Sequence, residues 1–179
     1  MFTIETERLI LRDMVPKDEA AFVAISQHKK YQRFYSEDDC DPRKYKDLTK
    51  LFIRQAKEEP RKEYQLAIVY KLTGEFIGTA CLRLESNNQA SMGCGLSRSF
   101  QGSRLIYEAA SALANFGFKE LNIHRIYAET ISENKAAIKL CEKLGMRHEA
   151  LFKEHRYFKG RWWNTTVLAM LYNEFKNKA

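Results

Sequence analysis

Long apolar runs, paired cysteines and secondary-structure breakers are all scarce in this 179-residue sequence. Its apolar runs are only a few residues long, as at residues 66–70, whereas a membrane-spanning helix needs roughly 20. Residues 1–12 include Glu5 and Glu7 and lack the apolar block of a secretory signal. With 8 glycines and 3 prolines, the chain is also unlike collagen or low-complexity sequence. We therefore expect a folded protein of the cytoplasm that has no membrane partner.

The cysteines and histidines lack the spacing of a disulfide framework or a metal site. No C-x-x-C pair occurs, and His148-Glu149 is followed by Phe152 where an H-E-x-x-H motif needs its second histidine. We expect no bound metal. Four reduced thiols are expected: Cys40, Cys81, Cys94 and Cys141.

Positive charge is in excess, with 30 Lys and Arg against 23 Asp and Glu, a formal net charge of +7. This balance favours anionic partners such as nucleotides, phosphate-bearing cofactors or RNA. A chain of this length is expected to form one domain, 1–179, that buries about 70% of its unfolded surface.

Hydrophobic periodicity predicts an α/β or α+β domain around one mixed sheet, in the order β-α-α-β-β-β-α-β-α-β-β. The predicted strands cover residues 4–14, 64–70, 76–84, 90–97, 125–130, 147–158 and 161–171. Four helices are predicted. The first begins at Pro16, and the others cover residues 43–59, 104–119 and 134–144.

The most informative segment is residues 97–104, where a strand is predicted to end and a helix to begin after a turn at Gly102. A helix N-terminus carries unpaired N–H groups and partial positive charge, and Arg98 and Arg104 add two full charges. This combination suits a pyrophosphate. The alternative is that Ser103 is simply an N-cap and that both arginines are solvated.

Two further segments have both structural and functional interpretations. Residues 131–134 precede a predicted helix, so a capping role for Asn134 competes with ligand binding. Residues 157–163 interleave aromatic and basic side chains. They are interpreted as a platform for nucleic-acid bases, as the rim of a pocket, or as ordinary strand residues.

Together these segments resemble the GNAT superfamily of acetyl-coenzyme A-dependent N-acetyltransferases. More narrowly, they resemble the RimJ/RimL-like branch, which includes the bacterial ribosomal-protein N-terminal acetyltransferases. The resemblance covers essentially the whole chain in the family's order. The matching segments are residues 5–12 (ETERLILR), 101–109, 122–126 (NIHRI), 133–137 (ENKAA), 144–146 (LGM), 160–163 (GRWW) and 168–175.

The resemblance implies a single, mostly antiparallel twisted sheet of about seven strands flanked by about four helices, and acetyl-CoA as the co-substrate. Strand 92–98 would line the pantetheine and turn 101–106 would hold the pyrophosphate. The implied cofactor-binding residues are Leu96, Arg98, Gln101, Gly102, Ser103, Arg104, Leu105, Ile106 and Asn134. The implied acceptor-binding residues are Phe34, Tyr35, Tyr157 and Trp162.

The sequence departs from the family pattern Gln/Arg-x-x-Gly-x-Gly/Ala, because Arg104 and Ile106 stand where the family has small residues. Either these side chains crowd the cofactor, or Arg104 turns outward and pairs with a phosphate. Cys141 occupies the place of the tyrosine general acid of many members. Ala137 replaces a serine used by part of the branch, and Asn164 stands where an aspartate is common.

The resemblance implies acetyl transfer to a primary amine, with the N-terminal amine of a ribosomal protein as its leading suggestion. Amino sugars, polyamines and free amino acids remain open. A backbone N–H of strand 92–96 would stabilise the oxyanion. An α-amine has a pKa of about 7.7–8.0, so water relayed to Glu129 suffices as the base.

Neither catalytic candidate is fixed by a motif. Glu129 is otherwise an ordinary strand carboxylate, and Cys141, a candidate proton donor, is otherwise a buried structural thiol. Two alternative functions remain: a GNAT-fold ligand- or partner-binding protein with little turnover, and an RNA- or ribosome-associated binding protein. Nucleic acid is not the expected partner, and a monomer or homodimer is expected.

Overall fold

The computed structural model describes residues 1–176, so the last three residues of the expected domain lie outside the described part. Eight strands form one sheet in the order β1-β2-β3-β4-β5-β6-β8-β7. The strands are β1 (Thr3–Glu5), β2 (Leu9–Asp13), β3 (Glu63–Tyr70), β4 (Glu75–Glu85), β5 (Gln89–Leu96), β6 (Arg125–Ile131), β7 (Arg147–Phe158) and β8 (Arg161–Leu171). All neighbours are antiparallel except β5 and β6, which confirms the mixed, mostly antiparallel sheet.

The sheet has eight strands rather than the predicted seven, because residues 4–14 form two strands and not one. A tight turn separates β1 from β2: the Thr6 N–H donates to the Leu9 carbonyl at 3.0 Å, and the Leu9 N–H donates to the Thr6 hydroxyl oxygen at 3.0 Å. The turn contains no glycine or proline, so the sequence carries no signal for it.

The described part has six α-helices rather than about four, and the two unpredicted ones, α2 and α6, span only four and five residues. The helices are α1 (Glu19–Ser26), α2 (Lys29–Gln32), α3 (Pro42–Gln55), α4 (Leu105–Lys119), α5 (Lys135–Leu144) and α6 (Tyr172–Lys176). α3 ends four residues before its predicted end at residue 59. There the Lys57 N–H donates to Arg54, a tighter turn than the α-helix makes.

Helices cover both faces of the sheet. α4 and α5 pack on one face, where Leu82, Leu113 and Ile126 are fully buried. α1 and α3 pack on the other face over β3 and β4, around a smaller cluster that includes Phe22 and Phe76. Burying a side chain such as Leu113 contributes about 1.5–3 kcal/mol, so the two clusters fix where each helix lies.

The parallel strands β5 and β6 pair with each other over only a short stretch. They pair at only three positions, Gln89–Arg125 to Ser91–Tyr127. Beyond Ser91, β5 follows β4 as far as Leu96, whereas β6 follows β8 as far as Ile131. The result is a gap between β5 and β6 that opens toward their C-terminal ends.

Candidate active site

One wall of the gap is the unpaired edge of β5. The Ser97 N–H donates to the Ile77 carbonyl of β4 at 2.7 Å. Alternate residues of a strand direct their backbone groups to opposite sides. Cys94 and Leu96 therefore turn theirs toward the gap. The N–H groups of both residues and the Cys94 carbonyl are the donors and acceptor that an extended amide-containing chain such as pantetheine pairs with.

The turn after β5 is tied to the end of that strand by side chains. Arg98 Nη1 donates to Gln101 Oε1 at 2.7 Å, and Gln101 Nε2 donates to the Leu96 carbonyl at 3.2 Å. Ser103 Oγ donates to the Phe100 carbonyl at 2.8 Å and does not cap a helix. These bonds hold the turn beside the gap.

The turn leaves a row of backbone donors free. Within residues 1–176, no N–H from Gly102 to Tyr107 has a hydrogen-bond acceptor. Gly102 has φ 91° and Arg104, the residue before α4, has φ 62°. A non-glycine residue in this left-handed region costs about 1–2 kcal/mol. The free donors and the helix N-terminus together suit a doubly charged phosphate group.

The two side chains that depart from the family pattern point in different directions. Ile106 packs against the core of the α4 face, beside buried Leu105. Arg104 is exposed, and its guanidinium has no hydrogen bond to any residue in the described part of the chain. Ile106 is thus accommodated by the core, and only Arg104 extends toward solvent at the turn.

An ion pair anchors the first turn of α4 to the strand region. Glu108 accepts hydrogen bonds from the Thr6 hydroxyl, the Arg8 N–H and Arg8 Nε at 2.6, 2.8 and 2.7 Å. Arg8 Nη1 also donates to the Ser103 carbonyl at 3.1 Å. Burial opposes ionisation of Glu108, but the bonds from Thr6 and Arg8 outweigh it and lower the pKa of Glu108. We call the Arg8–Glu108 contact the clamp.

Beyond β6, Asn134 caps α5: its Oδ1 accepts from the Ala137 N–H at 3.3 Å. On the same helix Cys141 is 7% exposed, and burial raises the pKa of its thiol to about 11. A thiolate leaving group has a pKa near 8.5, so proton transfer from Cys141 to it costs about 3 kcal/mol. Cys141 is therefore a poor proton donor.

On the α1–α3 face, an aromatic segment spans the gap. Tyr31 stacks on Tyr35 with ring centroids 5.1 Å apart, and a Cβ added at Gly95 of β5 would lie 3.7 Å from the Tyr31 ring. Phe34 meets Trp163 of β8 edge-to-face at 6.1 Å. Residues 31–37 thus contact β5 on one side of the gap and β8 on the other, and we call them the bridge.

The tip of the β7–β8 hairpin forms two hydrogen bonds with the bridge. Lys159 Nζ donates to the Gln32 carbonyl at 2.6 Å, and the Lys159 N–H donates to Glu37 Oε1 at 2.9 Å. The predicted acceptor residues Phe34 and Tyr35 belong to this bridge. It lies over the gap on the face opposite α4.

Tyr157 and Trp162 lie elsewhere on the hairpin. They are 62% and 56% exposed and pack against each other with ring centroids 5.2 Å apart. Neighbouring residues of a strand face opposite ways, so it is Trp163, 7% exposed, that joins Phe34. Sequence reasoning did not single out Trp163, because choosing between two adjacent tryptophans requires the strand register.

Glu129 lies on β6 beyond its last pair with β5, with its side chain 39% exposed and Oε2 3.9 Å from Arg156. Two residues earlier on the same face, the Tyr127 hydroxyl donates to Glu85 Oε1 at 2.8 Å. Burial and the Glu85 carboxylate raise the pKa of Tyr127. Glu129 thus lies on the part of β6 that no longer pairs with β5, and its recorded contact is with Arg156 of β7.

No helix within residues 1–176 is long and apolar enough to cross a membrane. In the same part of the chain, no group of three or more His, Cys, Asp or Glu side chains is arranged to hold a metal ion.

The family model for the acetyltransferase (GNAT) domain matches residues 8–147. The chain belongs to the GNAT acetyltransferase family. An uncharacterised N-acetyltransferase of Bacillus licheniformis, p20, is 28% identical over 178 residues, which cover 98% of this chain and 99% of p20. The ribosomal protein uS5-alanine N-acetyltransferase of Escherichia coli is 28% identical over 79 residues, 44% of this chain and 41% of that enzyme.

Solved structures show the same fold. A GNAT-family acetyltransferase from Bacillus anthracis has a TM-score of 0.82 at 22% identity, covering 96% of this chain and 99% of that chain. RimL, a ribosomal L7/L12 alpha-N-protein acetyltransferase in complex with coenzyme A, has a TM-score of 0.83 at 18% identity, covering 95% and 98%. At these identities the likeness shows the fold alone. With the family match, the enzyme is an acetyl-CoA-dependent N-acetyltransferase, as the sequence resemblance predicted.

Proposed function

We propose that this acetyltransferase acetylates the N-terminal α-amine of a protein, with the pyrophosphate of acetyl-CoA on the free N–H groups of residues 102–107. The single observation that carries the cofactor half is that row of unpaired donors, which lies at the end of β5 where its own edge is also unpaired. The exposed guanidinium of Arg104 adds positive charge beside them. Asn134, at the start of α5, lies on the β6 side of the same gap.

Acetyl-CoA supplies a thioester whose carbonyl carbon takes the amine nitrogen, so that a C–N bond forms, the C–S bond breaks and a thiolate leaves. The N–H groups of Cys94 and Leu96 face the gap and stabilise the developing oxyanion. The bridge and Trp163 shield the reacting atoms from water on the α1–α3 face. Glu129 accepts the proton that the amine releases, through a water molecule.

The candidate general base in this site is weak, which favours an α-amine over a lysine side chain as the acceptor. At pH 7, deprotonating an α-amine of pKa about 8 costs about 1.4 kcal/mol, whereas a lysine of pKa about 10.4 costs about 4.6 kcal/mol. Glu129 is a partly exposed carboxylate. Relatives named as uS5-alanine and L7/L12 alpha-N-protein acetyltransferases support the same choice.

Two matched peptides test this proposal by mass spectrometry after incubation with acetyl-CoA. One has a free N-terminus and no lysine. The other has a blocked N-terminus and differs in sequence only by one internal lysine. We expect acetylation of the first at least about 100-fold faster, from the roughly 3 kcal/mol difference in deprotonation. Faster acetylation of the lysine peptide would contradict the proposal. Coenzyme binding without thiol release for any amine would favour a binding protein with little turnover.

A ribosomal protein as the acceptor, a cytoplasmic location, a monomeric or homodimeric state and the absence of nucleic-acid and membrane partners remain predictions. Salt-dependent RNA binding would point to the alternative function, because phosphate contacts weaken steeply with added salt.

A further inference from the structure

Gly78 is a buried residue of β4 that has no space for a side chain. A Cβ built there would lie 2.1 Å from the Gly95 carbonyl oxygen and 2.9 Å from the Leu96 Cα, both atoms of the β5 backbone. Real Cβ contacts essentially never fall below 3.0 Å, so a methyl group at residue 78 forces the backbones of β4 and β5 apart by about 0.9 Å.

The position of Gly78 coincides with the point where the sheet opens. Gly78 pairs with Leu96 of β5 on one side and with Ile68 of β3 on the other. Between β3 and β4 the register shifts at Ile68 and Val69, which leaves Ile77 as an extra residue just before Gly78. A bulge of this kind bends and twists its strand. β4 therefore approaches β5 closely at Gly78, opposite Leu96, which lies beyond the last β5–β6 pair at Ser91.

We infer that Gly78 is a positioning residue for catalysis, because it lets β5 bend toward β4 and so sets the width of the gap and the aim of the Cys94 and Leu96 backbone groups. Gly78 is covered by the β5 backbone, so its effect on either substrate is indirect. It acts through the Gly95–Leu96 backbone. The inference concerns the acetyl-CoA half of the site and does not depend on which amine is the acceptor.

The Gly78→Ala variant tests this inference, because binding of acetyl-CoA and binding of the acceptor amine can be measured separately. A shift of about 1 Å in a reacting group lowers catalysis by roughly 100-fold. We expect the Kd for coenzyme A, measured by calorimetry, and the KM for acetyl-CoA to rise at least about tenfold. The KM for the acceptor amine stays within about twofold, because the bridge does not touch Gly78. A purely structural role would leave the Kd of the folded fraction unchanged.

Gly117→Ala is the matched control for overfilling a buried glycine. A Cβ at Gly117 in α4 would lie 2.9 Å from Ile126 Cδ1 and 3.0 Å from Leu82 Cδ2, which are ends of side chains that can move. We expect this variant to lose stability yet bind coenzyme A within about twofold of the unmodified protein. An equal loss of affinity in both variants, or none in Gly78→Ala, would overturn the inference.

Amide hydrogen exchange of the unmodified protein gives a second test that does not require the variant to fold. Coenzyme A is expected to slow exchange of the Cys94 and Leu96 amides at least about tenfold, since these face the gap. The Gly93 and Gly95 amides face β4 and stay unchanged. Slowing at Gly95 in place of Cys94 and Leu96, or at none of them, would contradict the proposed aim of β5.

Discussion

Replacing Glu108 by glutamine breaks the clamp while keeping the size of the side chain. Glutamine keeps one oxygen for the Thr6 hydroxyl and the Arg8 N–H, but it turns an amide toward the Arg8 guanidinium, which now faces Glu108 Oε2 at 2.7 Å. A hydrogen bond to a charged group contributes about 1.5–3 kcal/mol. Glu108 is 17% exposed and Arg8 is 39% exposed, so solvent screens part of this interaction and the loss falls in the lower half of that range. We expect Glu108→Gln to lower the free energy of unfolding by about 2 kcal/mol.

Urea denaturation measures this loss. With an m-value of roughly 2 kcal/mol per M, the midpoint falls by about 1 M, and the melting temperature falls by about 4–8 °C. The clamp also holds Ser103 in the cofactor turn, so the Kd for coenzyme A rises several-fold. A variant with unchanged midpoint and unchanged Kd would refute the clamp.

The stabilisation that Glu108 provides should depend on pH in a definite direction. The pKa of Glu108 is lower in the folded protein than in the unfolded chain, so its contribution is complete above the unfolded value of about 4.3. It is lost as pH falls through the lower, folded value. The stability difference between the unmodified protein and Glu108→Gln should therefore be full at pH 7 and shrink in acid. A difference that grows below pH 4 would contradict this assignment.

Three further variants address the rest of the site. Glu129→Gln should lower kcat roughly 100-fold at pH 7 but much less above pH 9, where the amine is already neutral; a pH-independent loss would exclude the base role. Lys159→Ala should raise the acceptor KM about fivefold without changing the acetyl-CoA KM, because it frees the bridge at Gln32; a rise in the acetyl-CoA KM alone would contradict this. Cys141→Ala should keep kcat within about twofold while lowering the melting temperature by about 2–4 °C, and a large fall in kcat would restore Cys141 as the proton donor.

Strong alternation and turn residues made the last third of the sheet predictable. β7 and β8 have their predicted bounds, because the Lys159–Gly160 turn lies between two alternating runs and its residues adopt φ 51° and 73°. The β1–β2 turn at Thr6 was missed because side-chain and backbone bonds to Leu9 replace the usual turn residues. Local sequence determines the first kind of turn, and only long-range packing of both strands on β3 reveals the second.

The cofactor side of the site could be predicted further than the acceptor side. The turn at residues 101–106 is local, so its glycine and its position before α4 were visible in the sequence. Trp163 and the bridge depend on contacts between residues more than 120 positions apart, such as Lys159 and Gln32. The role inferred for Gly78 rests on an interstrand distance that no sequence pattern encodes.

A crystal structure with coenzyme A tests the central claim most directly. We predict density for the pyrophosphate within hydrogen-bond distance of the N–H groups of residues 102–107, and the pantetheine along the edge of β5 at Cys94 and Leu96. Coenzyme bound elsewhere, or a groove filled by the side chains of Arg104 and Ile106, would contradict it.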